Sequence, residues 1–239
     1  MKKRAVITGI IVFCALVGVF ILKPGLLKLE KWKKISLRRE KLAAPQKVYK
    51  SFEFSSEKSL KGWKNKIFKG KTKYWLDGRN STGFLHSKSE DSASALYHFV
   101  SYKVEDYPLL RWTWRPVRFP VKKDNGNSSR EDDYALRIYV VFASVFFSNF
   151  RCIEYIWDEY LPVGTEMTSP YSDNIKQLIV ESGSGDGLWL TEERNVRDDY
   201  ERLFGRQPKS KIKAIAIMTD SEGSHDLSEA NFRDIKIFR

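Results

Sequence analysis

The chain has 239 residues, 42% hydrophobic and 14% aromatic, with 42 Lys/Arg against 30 Asp/Glu and a net charge of +12, which supplies a sizeable core and excludes a disordered chain. The charge is uneven: residues 1–50 hold 13 Lys/Arg against Glu30 and Glu40, a balance of +11, whereas residues 51–239 balance to +1. The main body of the chain therefore lacks the broad basic face that phosphate contacts require, and no nucleic acid partner is expected.

Met1-Lys2-Lys3-Arg4 precedes an uncharged apolar run over residues 5–22. As a helix rising 1.5 Å per residue that run is about 27 Å long, enough to cross a bilayer core. It is longer than the apolar part of a cleaved signal peptide, and no small-x-small site follows before Lys23-Pro24-Gly25. The reading is thus an uncleaved transmembrane anchor over residues 1–22. Phe13 before Cys14 argues against a lipoprotein.

Counting flanking lysines and arginines puts the rest of the chain in the cytoplasm. A very short basic start followed at once by an apolar run is instead the arrangement of an export signal, and on it the expectation is a single-pass inner-membrane protein with its globular part in the periplasm. Residues 23–48 form a basic juxtamembrane linker in which Leu26, Leu29, Trp32 and Ile35 recur at helical spacing between lysines. That pattern fits either a helix lying in anionic lipid headgroups or a solvated charged linker. Membrane lipid is an expected partner through residues 5–22 and this linker.

From residue 49 to 239 short apolar or aromatic runs alternate with polar turns. Strands are predicted over residues 50–54, 63–68, 73–76, 83–87, 94–102, 109–117, 134–147, 153–157, 175–181, 188–194, 212–219 and 232–238. One helix, residues 196–204, is capped by Asn195, carries an apolar stripe of Val196, Tyr200, Leu203 and Phe204, and stops at Gly205 and Pro208. Such a set describes an all-β, two-sheet sandwich with one short helix.

Metal and redox signatures are missing: His86, His98 and His225 stand alone, and Cys14 and Cys152 are the only cysteines, which excludes a zinc site of ordinary spacing. Gly183-Ser184-Gly185-Asp186-Gly187 is neither a nucleophile elbow nor a phosphate loop and reads as a hairpin turn. No catalytic residue is assigned.

Three groups remain. Strand alternation puts Asp133 with Arg137 on one face and Glu192 with Arg194 on one face; if the two strands share a sheet, two arginines and two carboxylates converge. Tyr155 and Trp157 alternate likewise, as do Trp112 and Trp114, and form either core or a stacking platform for sugar rings. Asp220, Glu222 and Asp226 offer oxygen ligands on one turn, which permits a calcium loop but is also a common acidic turn.

Asp132-Asp133-Tyr134-Ala135-Leu136-Arg137-Ile138-Tyr139-Val140-Val141-Phe142, Tyr155-Ile156-Trp157, Glu192-Glu193-Arg194-Asn195-Val196 with Asp199-Tyr200 and Phe204-Gly205, and Ala216-Ile217-Met218-Thr219-Asp220 together resemble the bacterial family known as domain of unknown function 3047, over roughly residue 52 to the C-terminus. The resemblance implies a cell-envelope β-sandwich similar in outline to galactose-binding-like and other jelly-roll carbohydrate-binding modules, and it implies no established activity. The family's turn after the 212–219 strand reads as a second aspartate followed by asparagine, where this chain has Glu222-Gly223, which leaves a metal there without support from the family.

The expected function is a non-catalytic, membrane-anchored module that binds envelope glycan or another hydroxyl-rich ligand, with Asp133, Arg137, Glu192 and Arg194 hydrogen-bonding the ligand and Tyr155 or Trp157 stacking on it. The alternatives are a polysaccharide hydrolase or lyase using carboxylates of the same face, and a scaffold for an envelope protein partner. No cofactor is expected beyond calcium at Asp220, Glu222 and Asp226.

Overall fold

A computed structural model of the chain describes residues 46–78, 83–122, 132–143 and 150–239. The transmembrane segment expected over residues 5–22 and the linker as far as residue 45 lie outside the described residues, whereas the end of that linker belongs to the sandwich, with Lys47 hydrogen-bonded through its main chain to Arg239 and a strand beginning at Val48; among the described residues, no helix is long and apolar enough to cross a membrane. Residues 47–239 form a unit of their own.

The alternating runs become two sheets. The first has six strands, β11 (Leu190–Asn195), β6 (Leu109–Arg118), β13 (Leu227–Phe238), β4 (Phe84–Glu90) and β3 (Lys73–Asp77) in that order, with β1 (Val48–Phe52) also on β13. β4 pairs with residues 227–232 of β13 and β1 with residues 235–238, so the long last strand serves both. The second sheet has seven strands in the order β2 (Trp63–Lys69), β5 (Ala93–Tyr102), β12 (Ile212–Asp220), β7 (Leu136–Phe142), β8 (Arg151–Asp158), β10 (Ile175–Ser182) and β9 (Glu166–Thr168). Among the described residues of this sheet, only β8 and β10 pair in parallel. The all-β sandwich is therefore as expected, and it agrees with the jelly-roll outline.

Period-2 alternation sends one side of each strand into the space between the sheets. Leu136, Ile138, Val140 and Phe142 of β7 face Leu110, Trp112 and Trp114 of β6 in one buried cluster. Trp112 stacks on Tyr155 at 5.1 Å between ring centroids and meets Trp114 edge-on at 5.3 Å, while Trp114 lies 5.9 Å from Trp157. Burying each such side chain is worth roughly 1.5–3 kcal/mol, and the ring pairs add about 0.5–1.5 kcal/mol each.

The helix α1 (Val196–Phe204) forms where predicted. Asn195 accepts a hydrogen bond from the Asp198 N–H, and Gly205 ends the helix at φ +65°, a left-handed position that favours glycine. Val196 and Tyr200 enter the core, where the Tyr200 ring lies 4.6 Å from that of Phe142.

Most strand boundaries fall within two residues of expectation, as at β7, which starts at Leu136 and two residues late; β13 starts at Leu227, five residues early, and β9 was not predicted. The glycine-rich turn after β10 is not a hairpin, because β10 and β11 belong to different sheets. It carries the chain across the sandwich edge. Gly183 accepts the Trp157 indole N–H at 2.8 Å, and a Cβ on Gly185 would lie 2.4 Å from the Trp157 ring, so the crossing strap needs glycine to lie flat on that ring.

Candidate functional site

The outer face of the seven-stranded sheet carries the site. With Ile138 and Val140 facing the core, Arg137 and Tyr139 must face outward; by the same rule Glu154 faces outward between Ile153 and Tyr155, and Met218 and Asp220 do so on β12. Phe68 comes from β2 at one edge of the sheet, and Ser169 and Tyr171 follow β9 at the other. Both edges nevertheless line one groove of about 320 Å³ whose floor holds Arg137, Tyr139, Glu154, Met218 and Asp220. The sheet is thus curved, with its hollow outward. Ala93, Ala95 and Ala216 keep this face low beside Met218.

At one end of the groove lies a buried ionic cluster. Arg137 is 2% exposed. Its guanidinium donates to Asp220 Oδ2 at 2.7 Å, to Asp132 Oδ2 and Glu154 Oε2 at 3.3 Å each, to the Tyr139 hydroxyl at 3.1 Å, and to the Asp132 carbonyl. The Tyr134 ring lies 4.5 Å from the same guanidinium. Gln177 on β10 donates to Asp132 Oδ1 at 2.7 Å and Glu154 Oε2 at 3.0 Å. A buried arginine is tolerable only with such partners. Here the partners outnumber it.

Asp133 and Glu222 add two more carboxyls, and the carboxylate oxygens of Asp133, Asp220 and Glu222 lie within 4.8 Å of one another. This crowding shows in their acidity. Burial, together with Asp132 nearby, pushes Glu154 up to about 7 despite Arg137. Burial, with Asp133 beside it, raises Glu222 to about 6, and burial with Glu222, Asp133 and Asp132 around it raises Asp220.

The acidic trio revises the calcium expectation. Asp226 is not part of it; it accepts from Arg118 at 3.0 Å and from the Val121 N–H at 2.9 Å. Asp133 takes its place. Both Asp133 oxygens accept main-chain N–H groups, Gly223 at 3.2 Å and Ser224 at 2.5 Å, and those of Asp220 accept Tyr134 N–H at 3.1 Å and Arg137. Of the trio's oxygens Glu222 Oε2 is buried without a partner, and in the same cluster the Arg137 Nε–H is buried without one as well. One free oxygen is a poor match for an ion that takes six to eight.

Of the six residues assigned to ligand binding from the sequence, Arg137 lines the groove, and Asp133 sits behind its acidic end. Asp133 does not share a strand face with Arg137, because residues 132–135 precede β7 and their backbone is irregular; of the two adjacent aspartates it is Asp132 that pairs with Arg137. Tyr155 and Trp157 are corrected: both are 0% exposed in the core and offer no face to a ligand. Glu192 and Arg194 are corrected too, since β11 lies in the six-stranded sheet, away from β7. Arg194 instead clamps α1 by two bonds to Asp199, at 2.9 and 2.5 Å, and Asp199 also accepts the Tyr155 hydroxyl at 2.9 Å. The groove residues missed were Glu154, Tyr139, Phe68 and Tyr171. Glu154 was legible: if Tyr155 and Trp157 face inward, the residue between Ile153 and Tyr155 faces out.

No curated protein sequence matches the chain. Among solved structures it is similar to the xyloglucanase domain of the type three effector NopAA from Sinorhizobium fredii, at 11% identity and TM-score 0.45 over 80% of this chain and 98% of that one. It is also similar to a family 11 carbohydrate-binding module of a cellulosomal cellulase from Clostridium thermocellum, at 11% identity and TM-score 0.43 over 82% and 95%. A family 30 carbohydrate-binding module from the same organism gives 11% and 0.42 over 74% and 90%. The model of one sequence family, described as a protein of unknown function (DUF3047), matches residues 61–236. That stretch runs from the strand bearing Phe68 into the last strand of the fold and takes in both rims and the whole floor of the groove, and by it the chain belongs to the DUF3047 family.

Proposed function

We propose that the groove on the outer face of the seven-stranded sheet binds a glycan or a similar hydroxyl-rich ligand. One observation carries this reading: a hollow of about 320 Å³ combines a floor of fixed donors and acceptors with two exposed aromatic rims, Phe68 at 62% and Tyr171 at 72% exposure. Exposed rings give a sugar its stacking surface, and a rigid polar floor gives its hydroxyl groups partners without an ordering cost. Gln177 donates to Asp132 and Glu154, and Arg137 donates to the same two carboxyls, so the floor is set before a ligand arrives.

Phe68→Ala and Tyr171→Ala test this directly. In a glycan-array and calorimetric screen each should weaken the ligands found by roughly 5- to 30-fold, the scale of one lost ring contact, while the melting temperature stays put because both rings are exposed. If both variants bind every ligand as tightly as the parent, the groove is not the site.

A second reading is hydrolysis of the bound glycan, favoured by the raised pKa values of Glu154, about 7, and Glu222, about 6. Such groups hold a proton near neutral pH, as a general acid must. Product release from the same array ligands would establish it, and Glu222→Gln would abolish that release.

We also propose that residues 5–22 tether the protein to the inner membrane and that the sandwich lies in the periplasm, a reading supported by the uncharged run behind Met1-Lys2-Lys3-Arg4. Alkaline phosphatase fused after Arg239 should be active. An inactive fusion, with a cytoplasmic reporter active at the same point, reverses the topology.

A further inference from the structure

The groove's charge bears on which hydroxyl-rich ligand it takes. Its lining includes the carboxyls of Asp132, Glu154, Asp220 and Glu222 against one cationic side chain, Arg137. Asp133 adds a fifth carboxyl behind Asp220 and Glu222. Arg137 is already bonded to three of these groups and to Tyr139, and is 2% exposed. Both of its Nη atoms are engaged, which leaves a ligand's carboxylate or phosphate only the buried Nε–H, the one nitrogen of Arg137 without a partner. Inside a walled groove such an excess of one sign acts on whatever enters.

The surplus has an outlet. Glu222 Oε2 is buried with no hydrogen-bond partner, and Glu222 lines the groove. An acceptor left in this state incurs a desolvation cost until a donor meets it. The charged groups facing Glu222 do not meet that oxygen: Asp220 is a carboxyl, Asp133 can bond Glu222 only when one of the two carboxyls holds a proton, the Nη atoms of Arg137 are bonded elsewhere, and Lys69 donates to the Glu222 main-chain carbonyl at 3.0 Å and to Asp91 at 3.1 Å. A calcium ion would need several free oxygens where one is present. An ammonium needs three acceptors at most, gains from the surrounding carboxyls, and is attracted to the ring faces at the rims.

We infer that the groove selects hydroxyl-rich ligands bearing an ammonium group, the chemistry of an unacetylated amino sugar, with Glu222 as its acceptor and Phe68 and Tyr171 as its walls. This rests on the ligand-binding reading of the groove. Burial first, and then the neighbouring carboxyls, hold Glu154, Asp220 and Glu222 above the usual carboxylate range, and the second of these causes is in keeping with it.

The test is competition at the groove on the full chain, held in mild detergent. A labelled glucosamine tetramer is displaced by unlabelled tetramers of glucosamine, N-acetylglucosamine or galacturonic acid, so that acidic sugar adsorbed on the basic residues 1–50 does not count. Glucosamine should displace the label at about one-tenth the concentration of the N-acetylated tetramer or less, the scale of a charge-assisted hydrogen bond. The acidic tetramer should displace none. In Glu222→Gln the glucosamine affinity should drop to that of the N-acetylated tetramer. If the labelled tetramer binds but the N-acetylated or acidic one displaces it equally well, the inference is overturned and the glycan reading stands. If no tetramer of any of the three kinds binds, neither stands. The selectivity of the unmutated chain decides the matter even if Glu222→Gln fails to fold.

Discussion

On the outer face of the seven-stranded sheet, five carboxyl groups gather around one buried guanidinium at the end of a groove. The outer face of the six-stranded sheet distributes its charge. There Arg111 meets Glu193 at 2.6 Å and Lys88 meets Glu229 at 2.7 Å, all partly exposed. A cross-strand row, Trp75, His86, Asn231 and Arg115, spans β3, β4, β13 and β6; its Trp75 and His86 rings stack at 4.1 Å, and Arg115 and Arg233 lie over Trp189 at 4.8 and 3.7 Å. Both faces obey the same alternation. They differ because one is curved and walled at both edges, which removes water and raises the energy of every unmatched charge, while the other leaves its pairs at the solvent boundary.

The comparison breaks first at Arg137. Arg137→Met leaves Asp132, Glu154 and Asp220 buried without their counter-charge and should cost about 3–5 kcal/mol near neutral pH, as loss of one partner in a buried network does. The loss should shrink at lower pH, where the carboxyls take up protons. Urea denaturation at two pH values measures both; a loss below about 1 kcal/mol would make this cluster no different from surface pairs.

Glu154 sharpens the contrast through pH. Its folded-state value of about 7 lies above the ordinary 4.5, so the folded protein holds this proton more tightly than the unfolded chain. Its favourable contribution is complete below about pH 4.5 and lost as pH rises to about 7. Glu154→Gln lacks that term and should therefore gain on the parent across this window, by up to about 3 kcal/mol. A constant difference between the two denaturation curves would show that Glu154 ionises as an ordinary carboxyl.

Arg111→Ala, on the opposite face, should cost no more than about 1 kcal/mol, and added salt should erase part of even that. The smallest effect is expected from metal removal. Excess EDTA should leave the melting temperature where added calcium puts it, because the oxygens of Asp133 and Asp220 are already engaged. A rise with calcium would mean that the trio reorganises around an ion.

Much of the fold was legible in the order of residues. Alternation in β6, β7 and β12, the caps of α1 and the polar turns are local signals, set by neighbours within a few positions, and they located most strands and the helix within a few residues. The interruption at residues 132–135 was not legible, because hydrogen bonds from distant partners hold it: Asp220 N–H to Tyr134 O, Tyr134 N–H to Asp220, and Gly223 and Ser224 N–H to Asp133.

The candidate site divides along the same line. That Arg137, in a strand of buried apolar residues, must find carboxylate partners follows from its desolvation alone, and the sequence by itself determined it. Which carboxylates answer depended on strand order. β7 lies between β12 and β8 and not beside β11, so Asp220 and Glu154 reach Arg137 while Arg194 serves the helix. Tyr155 and Trp157 turn inward against Trp112 and Trp114, and the exposed rings that line the groove are Phe68 and Tyr171, residues of the two sheet edges that only curvature brings together. Periodicity assigns each side chain to a face, but neither the pairing of distant strands nor the bend of a sheet is encoded in any single stretch of chain, and the tertiary structure alone decided both.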